Sequence, residues 1–273
     1  ERRGLLNAIM FSKKINGRWQ TPVEINSMLN SGDDCSSCSL NNDGTVLYLY
    51  KTDNFDGNIY SSQYIDEAWT PIEKLNRNIN TKYYESHAAI SPDGKALYFT
   101  SNREGGNGGL DIYISEKDAT GDWGPAINLG KSVNTIYNED TPFITINDSI
   151  LYFASEGHSG MGGFDIYRSR GNGRVWGAPE NLGFPINTTD DDRFFQPFNN
   201  DENGFYSINT DYKKKEIFYI TLTNQGLNRV YELSGKYILK DTIAEFDENN
   251  AIYLIDKLSG DTIDTGHPES STG

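Results

Sequence analysis

The sequence predicts an all-β chain, a β-propeller of about five blades followed by a fragment of a small β-sandwich. Three observations carry that prediction. One block recurs, and its clearest copy runs from Ala89-Ile90-Ser91-Pro92-Asp93-Gly94 through Leu97-Tyr98-Phe99 and Gly108-Gly109-Leu110-Asp111-Ile112-Tyr113 to Trp123-Gly124-Pro125 and Asn128-Leu129-Gly130. Independent landmarks keep step with it: Trp19, Trp69, Trp123 and Trp176 lie 50, 54 and 53 residues apart, and Tyr48, Tyr98, Tyr152 and Tyr206 lie 50, 54 and 54 apart. No sustained 3.6-residue apolar pattern accompanies the period, so a four-stranded blade suits it better than a helical solenoid.

Each segment of the repeat has a mechanical reason for its composition. Ser91-Pro92-Asp93-Gly94 is a turn between the first two strands: Pro pre-sets φ, Asp bonds its own backbone and Gly tolerates the left-handed conformation. Asn42-Asp43-Gly44, Asn147-Asp148 and Asn203-Gly204 are expected in the same place. The runs Leu97-Tyr98-Phe99 and Leu151-Tyr152-Phe153 are continuously apolar, as a strand covered on both faces requires. Asp-Ile-Tyr forms the third strand. Trp and the Pro two residues later open the outer fourth strand, where an edge tolerates Pro.

Five third strands can be counted: Ile9 to Lys13, Asn58 to Gln63, Asp111 to Ser115, Asp165 to Ser169 and Glu216 to Thr221. The first blade begins midway and the last lacks a Trp-x-Pro strand. The N-terminal residues are therefore expected to complete the last blade, or a blade that begins upstream, which would make six; closure removes exposed sheet edges. The propeller should span residues 1–226. After Asn224-Gln225-Gly226 the period stops, and residues 227–273 read as part of a small sandwich, with strands at Arg229 to Lys240 and Ala251 to Leu258.

A net charge of −15 opposes electrostatic binding to nucleic acid or an anionic membrane. No apolar run approaches the roughly 20 residues of a membrane-spanning helix.

The Ser-Pro-Asp-Gly-Lys-x-Leu-Tyr-Phe-x-Ser-Asn-Arg block at Ser91 to Arg103, with Gly108 to Tyr113, resembles the PD40 or TolB-like variety of WD40-like propellers. Combined with Trp-Gly-x-Pro and Asn-Leu-Gly, it is especially similar to the propellers of Bacteroidota OmpA-family envelope proteins. Leu233-Ser234-Gly235-Lys236 and the hairpin from Ala251 to Ile263 look like the opening of that family's carboxypeptidase-regulatory-like sandwich. The resemblance implies a non-enzymatic protein-interaction scaffold in the periplasm, within an outer-membrane-associated, peptidoglycan-linked assembly such as the type IX secretion system. Its expected partners are envelope proteins. Peptidoglycan would be bound only by an OmpA-like domain, which these residues do not include.

Acidic residues recur where each inner strand starts: Asp34, Glu85, Glu139 and Asp192 are the candidates for an axial binding face. An enzyme reading places two of them as general acid and base of a glycosidase-like propeller, which requires unlike carboxylates about 5 to 10 Å apart. The structural reading has them capping turns, and their repetition favours it, because catalysis needs a few unlike groups. A weak Ca²⁺ site is the third option. Gly105 to Gly109 and Gly157 to Gly163 precede strands, so they cannot cradle phosphate at a helix N-terminus, and they read as flexible connections held at their exits by Asp111 and Asp165. Cys35 and Cys38 either close a local disulfide or stay as buried thiols. His87 and His158 lack a Ser or Cys nucleophile motif and read as core or surface residues. No cofactor is expected.

Overall fold

The computed structural model describes residues 8–32, 35–53, 56–198, 203–211, 214–221, 252–255 and 262–266. The chain divides into two compact units, Glu1–Arg229 and Val230–Gly273. In the first, β1 (Met10–Phe11) pairs with β4 (Val23–Glu24), β2 (Lys14–Ile15) pairs with β3 (Arg18–Trp19), and a single helical turn, α1 (Asn26–Leu29), follows. Four blades come next, and every pairing in them is antiparallel.

The first blade comprises β5 (Cys35–Leu40), β6 (Val46–Asp53), β7 (Asp56–Ile65), β8 (Ala68–Trp69) and β9 (Glu73–Lys74), with both short outer strands on β7. The second comprises β10 (Glu85–Ile90), β11 (Ala96–Ser101), β12 (Asp111–Glu116) and β13 (Ile127–Asn128). In the third, β14 (Glu139–Ile144), β15 (Ile150–Ser155) and β16 (Asp165–Asn172) carry β17 (Val175–Trp176) and β18 (Glu180–Asn181). The fourth has three strands, β19 (Arg193–Phe198), β20 (Asn203–Asp211) and β21 (Lys214–Thr221).

Among the described residues, four sheets of three or more strands form where about five blades were expected. The N-terminal pairings are the outer half of a further blade. Met10↔Glu24 reproduces the register of Tyr60↔Lys74 and Tyr167↔Asn181, while Lys14↔Trp19 reproduces Tyr64↔Trp69. None of the described N-terminal strands joins the β19–β21 sheet, and residues 1–7 lie outside the described residues.

The core is a series of interfaces between blades. Leu97 and Phe99 face the cluster shared with the first blade, whereas Tyr98 between them faces the cluster shared with the third. Leu151 and Phe153 likewise point one way and Tyr152 the other. That two-sided burial is why these strands are apolar without alternation. Each outer strand carries a Trp back onto the preceding blade: Trp123 meets Tyr48 and Trp176 meets Tyr98, ring edge to face at 6.5 and 6.2 Å. Trp69, Trp123 and Trp176 are buried, but Trp19 is 64% exposed. Trp19 holds the same hairpin register, yet no described blade precedes it to supply the covering Tyr.

The Ser91 turn forms as its residues dictate, with the Ser91 hydroxyl accepting from the Lys95 and Ala96 amides and Gly94 at φ 72°. Asp148, at φ 55°, stands in the place of that glycine. Asn203-Gly204 starts β20 instead of forming a turn. The outer strand is not continuous: in the first and third blades, Pro71 and Pro179 fall in the gap between its two short pairings, where no ladder hydrogen bond is lost.

In the second unit β22 (Ile252–Ile255) pairs antiparallel with β23 (Thr262–Gly266). The strand expected at Arg229 to Lys240 lies outside the described residues. No helix among the described residues is long and apolar enough to cross a membrane.

Candidate functional site

The inner strands β5, β10, β14 and β19 surround the propeller axis, and each breaks register once, between Ser37 and Ser39, Ser86 and Ala89, Asp140 and Phe143, and Arg193 and Gln196. Such bulges bend a strand and re-aim a side chain. At three of them a non-glycine residue adopts the left-handed region: His87 at φ 39°, Thr141 at 48° and Phe194 at 61°. A conformation of this kind costs on the order of 1–3 kcal/mol each and persists where surrounding structure enforces it.

The repeated carboxylates sit just before these bulges and are consumed locally. Glu85 is fully buried and accepts from the Thr81 amide and hydroxyl at 2.9 and 2.6 Å, from the Ser101 hydroxyl at 3.0 Å and from Arg103 at 3.3 Å. Glu139, also fully buried, accepts from the Thr135 amide and hydroxyl, both at 2.7 Å, and from Ser155 at 2.8 Å. Asp192 accepts from the Thr188 amide at 2.5 Å. Burial pushes the carboxyl of Glu139 upward against these hydrogen bonds and raises that of Asp192 to about 6. Each acid ties the turn leaving one blade to the inner strand of the next, and none of the three lines the axial cavity.

Asp34 lies outside the described residues, and register gives its supposed place to Cys35, which pairs with Lys51 as Glu85 pairs with Ser101 and Glu139 with Ser155. No disulfide joins Cys35 and Cys38 in the structure. They lie on opposite sides of β5: Cys35 is buried with Leu47 and Leu49 on the N-terminal side, while Cys38 packs against the cluster of the next blade. That placement explains why they do not pair. Burial pushes the Cys38 thiol up to about 12.

The residues that the structure brings together stand next to the carboxylate position. Asp140, 2% exposed, accepts from the Thr141 amide at 2.8 Å, binds Nδ1 of His87 at 2.7 Å and meets Arg193 at 3.4 Å. Three successive blades thus join at one carboxylate. Burial alone would raise the Asp140 carboxyl, but the charge and hydrogen bond of His87 and the Thr141 amide bring it below its ordinary value. The ionised acid keeps the proton on Nδ1 of His87. Tyr50 and Phe194 flank the imidazole, with ring centres 4.8 and 5.2 Å away. His87, with Thr141, Phe194 and Tyr206, lines a cavity of about 570 Å³. The only sequence signal for the site was a difference between copies: Ser36, Ser86, Asp140 and Arg193 share a register position, as do Ser37, His87, Thr141 and Phe194. His158 is different in kind. Its Nε2 reaches the Val133 carbonyl at 2.9 Å and its ring packs on Phe153 and Tyr167, much as Arg103 reaches the Ile79 carbonyl and stacks on Phe99 and Tyr113.

The glycine-rich loops are seated rather than loose. Asp111 accepts from the Asn107 and Gly108 amides, and Asp165 from the Met161 amide, as their positions led us to expect. A Cβ on Gly108 would lie 2.3 Å from the Tyr137 carbonyl oxygen, and one on Gly162 would lie 2.2 Å from that of Asp190. Glycine is required because each loop presses against the turn that enters the next blade.

No protein-family model matches the sequence, and no curated protein matches it. Among solved structures, TolB from Acinetobacter baumannii superposes with 14% identity over 74% of this chain and 44% of that one, at TM-score 0.48. Putative TolB from Agrobacterium tumefaciens superposes with 16% identity over 74% of this chain and 66% of that one, at TM-score 0.49, so the chain spans less than two thirds of either. A thermostable family-43 glycoside hydrolase shares 13% identity over 81% of this chain and 85% of that one, at TM-score 0.50. At these identities the likeness is one of fold: the chain is a β-propeller with TolB-like neighbours.

Proposed function

We propose that the chain is a non-enzymatic docking propeller of the periplasm, holding envelope proteins together in an outer-membrane-associated, peptidoglycan-linked assembly of which the type IX secretion system is the model. The observation that carries this reading is the state of the repeated acids. A glycosidase needs two unlike carboxylates facing its substrate. Here Glu85 and Glu139 are fully buried and bonded to equivalent threonines, so they serve blade-to-blade attachment. Exposed apolar side chains stand ready for a partner instead, notably Ile136 and Tyr137, 75% and 56% exposed, on the turn that enters β14. The TolB-like fold and the OmpA-family resemblance support the periplasmic placement.

The test is capture from envelope extracts with the wild-type chain and with Ile136→Asp/Tyr137→Asp, alongside an assay for release of sugars from envelope glycans. A defined envelope protein held by the wild type and lost with the variant, with no sugar released, is the expected result. Glycan hydrolysis that disappears in Glu139→Gln would replace the docking reading with the enzymatic one.

A further inference from the structure

The N-terminal pairings build the outer half of a blade, and one edge of β1 is unpaired among the described residues. Ile9 donates its amide to the Asn26 side chain at 2.7 Å and accepts from the Ile25 amide at 3.0 Å, as Ile59 does with Asn80 and Leu75, and Ile166 with Asn187 and Leu182. Backbone groups of successive strand residues point to opposite edges, so those of Met10 face away from β4. At the same place in complete blades, Tyr60 pairs with Leu49 and Tyr167 with Phe153 of a second strand.

Three apolar residues mark the space beside that edge. Met10, Leu40 and Phe205 line the 570 Å³ cavity and are 55%, 49% and 39% exposed, whereas Tyr167, Ile144 and Tyr152, which hold their register places in the third blade, are buried. They belong to β1, to the inner strand of the first blade and to the second strand of the fourth, so they border one space from three sides. In the repeat, the first two strands of a blade fill it. Trp69 records the same difference: Tyr48 and Tyr98, on second strands, cover Trp123 and Trp176, but the ring neighbours of Trp69 are Phe11 and Tyr64, at 5.7 and 5.1 Å.

We propose that this space is a docking site for a β-hairpin of a partner protein, one that carries the pattern of the repeat's own inner pair. Its second strand, apolar on both faces, lies along β1, and its first strand lies toward the axis, where Ser37, Thr141 and Gln196 form part of the wall. Strand addition of this kind draws affinity from backbone hydrogen bonds and specificity from alternate side chains. The hairpin extends the ladder at Met10 and covers Leu40 on one face and Phe205 on the other. Ile136 and Tyr137 do not line this space, so the proposal is independent of the turn that carries the docking reading.

A synthetic peptide of residues 85–101, the inner pair of the second blade, tests the proposal against the whole chain. Labelled peptide should bind one to one by fluorescence anisotropy, and bound peptide should slow exchange of the Met10 amide by about tenfold or more in nuclear magnetic resonance spectra. Phe99 pairs with Tyr113 in its own blade, so in the docked peptide it lies opposite Met10. N-methylation of the peptide at Phe99 leaves the hairpin's own ladder intact and should weaken binding by about tenfold or more, through the lost hydrogen bond and the clash of the methyl with β1. Tyr98→Ala in the peptide, which removes the ring placed over Trp69, should weaken it too. Both changes are made in the peptide, so neither can unfold the chain. Absence of binding, equal affinity of the N-methylated peptide, or an unchanged Met10 amide would each overturn the proposal. A dimer of the chain that the peptide fails to dissociate would overturn it as well, because a second copy would then cover the space.

Discussion

Four tryptophans that are equivalent in the repeat should differ sharply in what they contribute to stability. Trp123 is 7% exposed, lies edge to face on Tyr48 at 6.5 Å, and has the Lys117 ammonium 4.9 Å from its ring centre. Its replacement by Ala removes a core indole, a change that costs about 3–5 kcal/mol. Trp19 is 64% exposed, and among the described residues Lys14, 5.7 Å from its ring centre, is its one cation contact. An exposed pair of that kind is worth about 0.5–1 kcal/mol. Urea unfolding followed by far-ultraviolet circular dichroism should therefore show Trp123→Ala with a much lower midpoint and an unchanged slope, and Trp19→Ala nearly coincident with the wild type. In thermal melts Trp123→Ala should lose roughly 6–20 °C. If Trp19→Ala cost as much as Trp123→Ala, the Trp19 face would have to be covered in solution, and the account of an uncovered half-blade would fail.

Gly108→Ala and Gly162→Ala should each destabilise by about 1–3 kcal/mol, because the added methyl collides with the next blade's backbone; a melt within 1 °C of wild type would refute the seated loop. Glu85→Gln with Glu139→Gln should lower stability yet change partner affinity by less than about tenfold, roughly 1.4 kcal/mol, and a larger loss measured on folded protein would return these acids to the binding face. Asp140 has its carboxyl held below its ordinary 3.8, so the stability it contributes is present above that pH and is lost on further acidification. Asp140→Asn should therefore be much less stable than wild type at pH 7, with the gap narrowing below about pH 4. Asp192 has the opposite sign: with its carboxyl raised from 3.8 to about 6, ionising it opposes folding, and stability falls as pH rises through that interval. Relative to wild type, Asp192→Asn should thus gain stability between pH 4 and pH 7, and an offset independent of pH would contradict the assignment.

The fold was legible because its determinants are local and repeated. The Ser91 turn, the two-faced run Leu97-Tyr98-Phe99 and the loop-holding Asp111 act on neighbours in sequence, so each copy confirms the others. Completeness was harder to read. Trp19 looks the same as Trp123 in sequence; Tyr48 covers Trp123, and among the described residues no Tyr of a preceding blade covers Trp19. Cys35 was hidden for a related reason: the repeated position bears a thiol there, and the nearby acid Asp34 drew attention one residue away. The pairing of His87 with Asp140 was not legible at all, because 53 residues separate two groups that meet only when adjacent inner strands bulge toward the axis.

That last case marks where this propeller's individuality lies. Repetition holds what the blades share: apolar residues on both faces of the second strand, glycine where a loop meets the next turn and, in three of the four, a threonine-bound acid at the start of the inner strand, where the first blade has Cys35. One and two residues past the acid the copies stop agreeing, with Ser36-Ser37, Ser86-His87, Asp140-Thr141 and Arg193-Phe194 in successive inner strands. Those are the positions at which the bulges alter side-chain direction, and three of them carry left-handed backbone on residues that do not favour it. A ring of identical blades would present the same group several times at its axis and bind nothing asymmetric. Placing an acid, an imidazole and a guanidinium on three successive blades breaks that symmetry at a single buried carboxylate, which is itself a contact joining those blades.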